Sequence, residues 1–86
     1  MFVILTYDVG KKRVQKVMKI CRKYLSHEQK SVFEGMITQA KLNRLKQELQ
    51  RILDTEQDTI NIYELASLKY AVKEKIGINH YDDNII

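Results

Sequence analysis

Two periodicities of hydrophobic residues divide the chain into predicted strands and helices. Residues 1–7 are apolar at both odd and even positions, which is typical of a strand covered on both faces. Residues 11–25 and 39–53 carry apolar side chains at helical spacing and predict two amphipathic helices. The apolar positions of the first of these helices are Val14, Val17, Met18, Cys21 and Leu25.

The remaining segments predict further strands. Residues 26–38 hold a run of strand-forming side chains around Gly35, which favours a bulge or a close backbone approach there. These thirteen positions fit either one bent strand or two short strands. Residues 59–65 alternate regularly and predict the last strand, and residues 69–76 predict a short helical turn that Gly77 ends.

The order of these elements predicts an α+β fold of the ferredoxin-like type, in which both helices cover one face of an antiparallel sheet. A single domain is expected over residues 1–86, with residues 78–86 as a C-terminal tail or edge strand. The first strand is apolar on both faces, but the helices cover only one. The second face is therefore covered either by another copy, in a dimer that packs sheet against sheet, or within a monomer.

Composition narrows the class of protein. Hydrophobic residues make up 44% of the chain and proline is absent, which excludes a disordered or proline-rich sequence. The single cysteine, Cys21, forms no internal disulfide and is interpreted as a core residue. His27 and His80 lack metal-ligand spacing and are interpreted as surface residues. The N-terminal apolar run is too short for a membrane span and lacks a basic leader, so a soluble cytoplasmic protein with no membrane contact is expected.

The positive charge of the chain is concentrated in its first helix. Residues 11–23 contain seven bases and no acid, so this segment carries +7 and the rest of the chain −3. The seven bases are Lys11, Lys12, Arg13, Lys16, Lys19, Arg22 and Lys23. Such a local excess indicates a polyanionic partner, most often a nucleic acid, although a solvated helix face would show the same pattern.

A carboxylate stands next to this basic segment. Asp8 ends the first strand, where it serves either as an oxygen ligand for a hard cation or as a cap for the following helix. The bases Lys11, Lys12 and Arg13 begin that helix, where free backbone amides and cationic side chains together suit a phosphate group. A carboxylate for a metal ion beside bases for phosphate predicts a site that handles phosphodiesters.

Two residues of the central segment have alternative interpretations. Ser31 has no Asp or His partner close in sequence, so its hydroxyl is expected to form a hydrogen bond within the sheet. Phe33 either stacks on a nucleic-acid base, as aromatic residues on ferredoxin-like sheets do, or belongs to the core.

Several strings of residues resemble the CRISPR-associated protein 2 family. They are Tyr7-Asp8-Val9 at the end of the first strand, Arg13-Val14 in the first helix, and Gln29-Lys30-Ser31-Val32-Phe33-Glu34-Gly35. The similarity continues through residues 58–63 and Ile76-Gly77, and so spans nearly the whole chain. The chain departs at Lys11 and His27, where some members carry arginine.

The resemblance implies a prokaryotic homodimer that works in spacer acquisition and bridges two dimers of the CRISPR-associated integrase on DNA. It also implies a Mg²⁺-dependent endonuclease that acts on single-stranded RNA or duplex DNA. Asp8 would then be the metal ligand, and Tyr7, Arg13, Ser31 and Phe33 would lie near it. The expected nucleic-acid contacts are Lys11, Lys12, Arg13 and Lys16.

Three interpretations of function stay open at this point. The chain is a DNA-binding scaffold of the acquisition complex, a Mg²⁺-dependent endonuclease, or a ferredoxin-like regulatory module for a small ligand. The third interpretation calls for a glycine-rich turn, which the sequence lacks. The first two differ at Asp8, because a nuclease needs this carboxylate and a scaffold does not.

Overall fold

The computed structural model describes residues 1–65. The helical turn predicted over 69–76 and the tail or edge strand over 78–86 lie outside the described residues. The elements are β1 (Phe2–Asp8), α1 (Lys11–Arg22), β2 (Ser26–Gln29), β3 (Val32–Met36), α2 (Gln39–Ile52) and β4 (Thr59–Leu65).

The four strands form one antiparallel sheet in the order β2-β3-β1-β4. β1 lies inside the sheet, where Leu5 faces Phe33 of β3 on one side and Ile62 of β4 on the other. Together with α1 and α2, this topology confirms the predicted α+β ferredoxin-like fold. It also decides the alternative for residues 26–38, which form two short strands joined by a turn at Lys30 and Ser31.

The irregularity expected at Gly35 is found in the neighbouring strand. The pairing of β2 with β3 shifts register between His27 and Gln29, whereas Gly35 pairs regularly with Val3. The close approach at Gly35 is ordinary van der Waals contact, since an added Cβ would lie 3.5 Å from a Leu25 methyl carbon. The bulge therefore lies in β2, which pairs with β3 on one side and has no strand on its other side among the described residues.

The two helices begin in different ways. Thr38 precedes α2, and its side-chain oxygen accepts a hydrogen bond of 3.2 Å from the Lys41 amide, as a helix cap does. The residue that caps α1 is Gly10, and no side chain provides a capping bond there. Asp8 therefore does not cap α1, which removes that alternative for its carboxylate. Within residues 1–65, neither helix is long and apolar enough to cross a membrane.

The core lies between the helices and one face of the sheet. The odd positions of β1 point into it, and Cys21 of α1 is fully buried among them, as predicted. Burial raises the pKa of the Cys21 thiol to about 12, so this side chain behaves as a small hydrophobe. The buried side chains are Val3, Leu5, Tyr7, Val17, Cys21, Leu25, Phe33, Ile37, Leu42, Leu45 and Leu49.

The opposite face of the sheet stays largely uncovered by residues 1–65. The even positions of β1 and their cross-strand partners form this open sheet face, which includes Phe2, Ile4, Met36, Tyr63 and Leu65. Met36 is 61% exposed and Tyr63 is 56% exposed. The sequence predicted that both faces of β1 are covered. Within the described residues, only the face towards the helices is covered.

A buried ion pair joins the start of α1 to the turn before β4. The guanidinium group of Arg13 donates two hydrogen bonds to the Asp58 carboxylate, one of them 2.9 Å from Nη2 to Oδ1. The Asp58 side chain is fully buried and also accepts bonds of 2.9 Å from the backbone amides of Gly10 and Asp54. An added Cβ at Gly10 would lie 2.7 Å from Nη2 of Arg13, so the glycine leaves room for the pair.

These contacts shift the pKa of Asp58. The hydrogen bond from Arg13 and the two backbone amides hold it well below the usual carboxyl range, against the opposing effect of burial. The pair therefore stabilises the fold fully above the pKa of an unfolded aspartate, about 3.9, and this stabilisation is lost as the pH falls towards the lowered value.

Replacing Asp58 by asparagine tests this interaction. The Asp58→Asn protein is expected to melt at a lower temperature than wild type at pH 7, because the partly buried guanidinium of Arg13 loses its counter-ion. The difference should shrink as the pH is lowered below 4. Glu56→Gln is the matched control, since Glu56 is an exposed carboxylate in the same turn. Equal melting temperatures at pH 7, or a difference that does not change with pH, would contradict the assignment.

Candidate active site

Asp8 is an exposed carboxylate at the last position of β1, across from Thr59 of β4. The chain passes through Val9 and Gly10 and then begins α1. Side chains alternate between the two faces of a strand, so Asp8 lies on the same side as Phe2 and Ile4, at the border of the open sheet face. The carboxylate is therefore available to a ligand.

A pocket of about 370 Å³ opens beside this carboxylate. The end of β1, the first two turns of α1 and the turn between β2 and β3 line it together. The lining residues are Tyr7, Asp8, Val9, Val14, Met18, Lys30 and Ser31. Three of the five residues predicted for the site, Tyr7, Asp8 and Ser31, are thus brought to one pocket.

Tyr7 positions one wall of this pocket. Its ring belongs to the core, and its hydroxyl donates a hydrogen bond of 2.9 Å to the Lys30 carbonyl oxygen. Its backbone amide donates a second bond, of 3.1 Å, to the Ser31 carbonyl oxygen. Both bonds hold the β2–β3 turn against the end of β1, so Tyr7 fixes the place of Lys30 and Ser31 relative to Asp8.

Arg13 and Phe33 do not line the pocket. Arg13 does not line the pocket, because its guanidinium group is bound to Asp58 and its side chain is only 21% exposed. Phe33 is fully buried, with its ring stacked on the half-buried His27 at a centroid distance of 4.5 Å. The structure confirms the alternative in which Phe33 belongs to the core, since its ring has no exposed face for a nucleic-acid base. His27 is not the surface residue that was predicted.

The lysines at the start of α1 are exposed. Lys11, Lys12 and Lys16 are free of any acidic neighbour in their own helix, since the first turn of α1 holds no acid. Bases at this end oppose the helix dipole at a cost of about 0.3–1 kcal/mol each when exposed. These lysines lie at the start of α1, which only two residues separate from Asp8. Their positive charge and the free backbone amides of the helix start are therefore close to the Asp8 carboxylate.

Two residues of this region were missed by the sequence analysis. Lys30 is exposed and lines the pocket, and its position between Gln29 and Ser31 in the motif was the available signal. Asp58 binds Arg13 from 45 residues away. No periodicity or motif links residues at that separation, so the partner of Arg13 follows from the fold alone.

The side chains around the Asp8 pocket could bind a hard cation only together with ligands from elsewhere. Within residues 1–65, no group of three or more His, Cys, Asp or Glu side chains could hold a metal ion. Asp8 is the carboxylate that lines the pocket. Mg²⁺ is commonly bound by one or two carboxylates, several waters and substrate phosphates. One Asp8 therefore fits such an ion when a second chain or a substrate supplies further oxygen ligands.

Comparison with known proteins gives a consistent result. The family model described as "CRISPR associated protein Cas2" matches residues 1–72. A protein of Thermotoga maritima named "CRISPR-associated endoribonuclease Cas2" is 41% identical over 86 residues, which cover 100% of this chain and 99% of that protein. A protein of Pyrococcus furiosus with the same name is 42% identical over 78 residues, which cover 91% of this chain and 89% of that protein.

Solved structures agree in fold and sequence. The crystal structure of Streptococcus pyogenes Cas2 at pH 6.5 superimposes with a TM-score of 0.76 at 36% identity, and covers 90% of this chain and 100% of that one. Another crystal structure of Cas2 gives a TM-score of 0.84 at 36% identity, and covers 100% of this chain and 97% of that one. The motifs, the fold and these matches together show that the chain belongs to the CRISPR-associated Cas2 family.

Proposed function

We propose that this protein is a metal-dependent endonuclease of the endoribonuclease type, which binds nucleic acid during CRISPR spacer acquisition in the prokaryotic cytoplasm. The observation that carries the proposal is the exposed carboxylate of Asp8 in a pocket at the end of β1, followed directly by the basic start of α1. Relatives of the family are named endoribonucleases, which supports RNA as a substrate. The proposal takes single-stranded RNA as that substrate, beside duplex DNA.

The active form in this proposal is a dimer that packs the open sheet faces of two chains against each other. Large apolar side chains such as Met36 and Tyr63 seldom remain exposed together on a monomer. Two sheets pack about 10 Å apart, so a two-fold axis near the end of β1 would bring the two Asp8 side chains together. Like charges at such a distance repel, which favours a shared cation or proton between them.

In this dimer, each chain contributes a defined part of the site. The two Asp8 carboxylates would hold Mg²⁺, and the ion would supply Lewis-acid activation of the phosphate and of a bound water. Lys11 and the backbone amides at the start of α1 hold phosphate oxygens. Tyr7 keeps the turn with Lys30 and Ser31 in place, and the Ser31 hydroxyl is a hydrogen-bond donor for a phosphate oxygen. Arg13 acts indirectly, by fixing the start of α1 through Asp58.

A scaffold without catalysis is the second candidate function. It is favoured by the placement of Arg13 and Phe33, which serve the fold rather than the pocket, while the exposed lysines of α1 remain. Such a scaffold would bind DNA through α1 and bridge dimers of the CRISPR-associated integrase. It would need the bases and the dimer but not Asp8.

Asp8→Asn separates the two candidates. The change nearly keeps the shape of the side chain and removes its charge, so Mg²⁺-dependent cleavage of single-stranded RNA and duplex DNA is expected to be abolished. Purified wild type, Asp8→Asn and the control Glu56→Gln are compared with Mg²⁺ and with EDTA. Equal cleavage by wild type and Asp8→Asn would mean a contaminating nuclease and would remove Asp8 as a catalytic residue. Wild type that cleaves neither substrate, together with unchanged spacer acquisition by Asp8→Asn, would favour the scaffold.

The dimer is tested on its proposed contact surface. Wild type is expected to sediment at twice the chain mass of 10.2 kDa. Met36→Asp and Tyr63→Asp each place a charge in the buried sheet-to-sheet contact and should give monomers. Gln47→Asp adds the same charge on the exposed side of α2 and should leave the dimer intact. A monomeric wild type, or a dimer that both aspartates leave unchanged, would refute the packing.

The lysines of α1 are tested through the salt dependence of binding. Lys12→Gln with Lys16→Gln removes two exposed charges without touching the Arg13–Asp58 ion pair, which the fold needs. For duplex DNA, log K falls as log salt rises, and each lost phosphate contact should make this slope less steep by about 0.9. An unchanged slope would mean that this side of α1 is a solvated surface without a nucleic-acid partner.

A further inference from the structure

The pocket beside Asp8 has an apolar wall that the proposed function leaves unused. Val9, Val14 and Met18 line this wall, and all three are half-buried. Val14 and Met18 lie one turn apart on the same side of α1, and Met18 and Val9 pack against the core. A charged phosphate group gains nothing from aliphatic contacts, because it loses its hydration there. The wall therefore fits a different part of the nucleic acid than the Asp8 carboxylate does.

The volume of the pocket suits an organic ring. Its volume of about 370 Å³ falls within the roughly 300–1,000 Å³ of pockets that bind small organic molecules, which are mostly apolar with a few polar groups. A nucleobase has this chemistry, since its faces stack on apolar groups and its edge carries hydrogen-bonding groups. Enzymes that take a base out of its stack hold it between aromatic or apolar side chains and recognise its edge by hydrogen bonds. The pocket therefore matches one nucleobase in size and in chemistry.

Lys30 supplies a polar group at the border of this pocket. It is an exposed residue of the turn between β2 and β3, and its carbonyl oxygen accepts the hydrogen bond from Tyr7 that holds the turn in place. An ammonium group only donates hydrogen bonds, so it selects a base edge that presents acceptors. Guanine presents two neighbouring acceptors, N7 and O6, whereas adenine and cytosine each carry an amino donor on that edge and uracil presents one acceptor. Lys30 therefore favours guanine.

We propose that this pocket binds one unpaired nucleobase of the RNA, next to the phosphodiester at Asp8, with guanine preferred. Val14 and Met18 contact the face of the base, and Lys30 donates hydrogen bonds to its edge. The proposal rests on the endonuclease function proposed above and names the group by which that site selects its substrate. A base inside a duplex is stacked and paired, so it must leave its neighbours before it enters the pocket. Cleavage is therefore expected beside unpaired guanines.

Variants of the wall and of the border test the two contacts separately. Val14→Phe fills the pocket, and Ile20→Phe is its control, because Ile20 is a half-buried residue of α1 that does not line the pocket. Lys30→Met removes the donors and Lys30→Arg keeps them, while Lys41→Met removes the same charge from an exposed position outside the pocket. Circular dichroism melting shows whether each variant is folded. If Val14→Phe does not fold, the Lys30 variants, which change an exposed side chain, carry the test alone.

Cleavage is measured on short single-stranded oligocytidine RNAs whose central position is guanine, adenine or an abasic site. For wild type, kcat/KM beside the central position should be about tenfold higher for guanine than for adenine, and lowest for the abasic site. Lys30→Met should lower the guanine value to the adenine value, and Lys30→Arg should restore the difference. Val14→Phe should lower both values to that of the abasic site, whereas Ile20→Phe and Lys41→Met should keep the wild-type preference.

Equal wild-type values for guanine and the abasic site would overturn the base pocket. A wild-type preference for guanine that Lys30→Met leaves unchanged would overturn the contact from Lys30. An equal loss of preference in Val14→Phe and Ile20→Phe would overturn the apolar wall.

Binding without cleavage separates this inference from the proposed function. In EDTA, an RNA with 2-aminopurine at the central position should become more fluorescent when wild type binds it, because the ring leaves its stacked neighbours for an aliphatic pocket. Val14→Phe should bind the RNA without this rise. Binding by wild type without a rise would overturn the pocket. A rise without any Mg²⁺-dependent cleavage would refute the endonuclease and keep the pocket, and an RNA that wild type neither binds nor cleaves would refute the proposed function itself.

Discussion

The position of β1 inside the sheet is the constraint on which the rest of the structure depends. Its odd positions, such as Val3 and Leu5, are fully buried under the helices, while its even positions, such as Phe2 and Ile4, face the other way and are apolar as well. A strand of this kind needs cover on two sides, and residues 1–65 provide helices on one. The helix layer, the open sheet face and the carboxylate at the end of the strand all follow from this arrangement.

The alternation of one strand also separates structural from chemical roles at the site. Tyr7 points into the core and holds the β2–β3 turn, whereas the next residue, Asp8, points away from the core and is exposed. A similar division holds among the bases. The planar guanidinium of Arg13 makes a two-point contact with the buried Asp58 carboxylate, and the flexible ammonium groups of Lys11 and Lys12 remain exposed to solvent.

The spacing of apolar residues predicted the helices and strands well, because buried positions recur at a regular interval along each of them. Both helices were expected at their observed starts, and they end at Arg22 and Ile52, within three residues of the predicted ends. The split of residues 26–38 stayed open because its turn, Lys30 and Ser31, contains no glycine, proline or asparagine. Contacts from Tyr7, more than twenty residues earlier, hold that turn in place.

The roles of single side chains were harder to predict, because they depend on contacts between distant segments. The sequence places Arg13 beside Asp8, yet its partner is Asp58, which reaches it only when β4 pairs with β1. Phe33 lies in a motif typical of the family site, but its pairing with Leu5 puts it on the buried face of the sheet. Strand register decides this, and the motif alone does not reveal it. The position of Asp8 at the end of the first strand and the resemblance to the family were both evident from the sequence.

The central claim is that two chains complete one metal site between their open sheet faces. The most direct test is the stoichiometry of Mn²⁺ bound to the wild-type protein in the presence of a phosphorothioate RNA that resists cleavage, measured by electron paramagnetic resonance. The account predicts one tightly bound ion for every two chains, and none in the Asp8→Asn protein. One ion per chain, or tight binding that Asp8→Asn leaves unchanged, would contradict it.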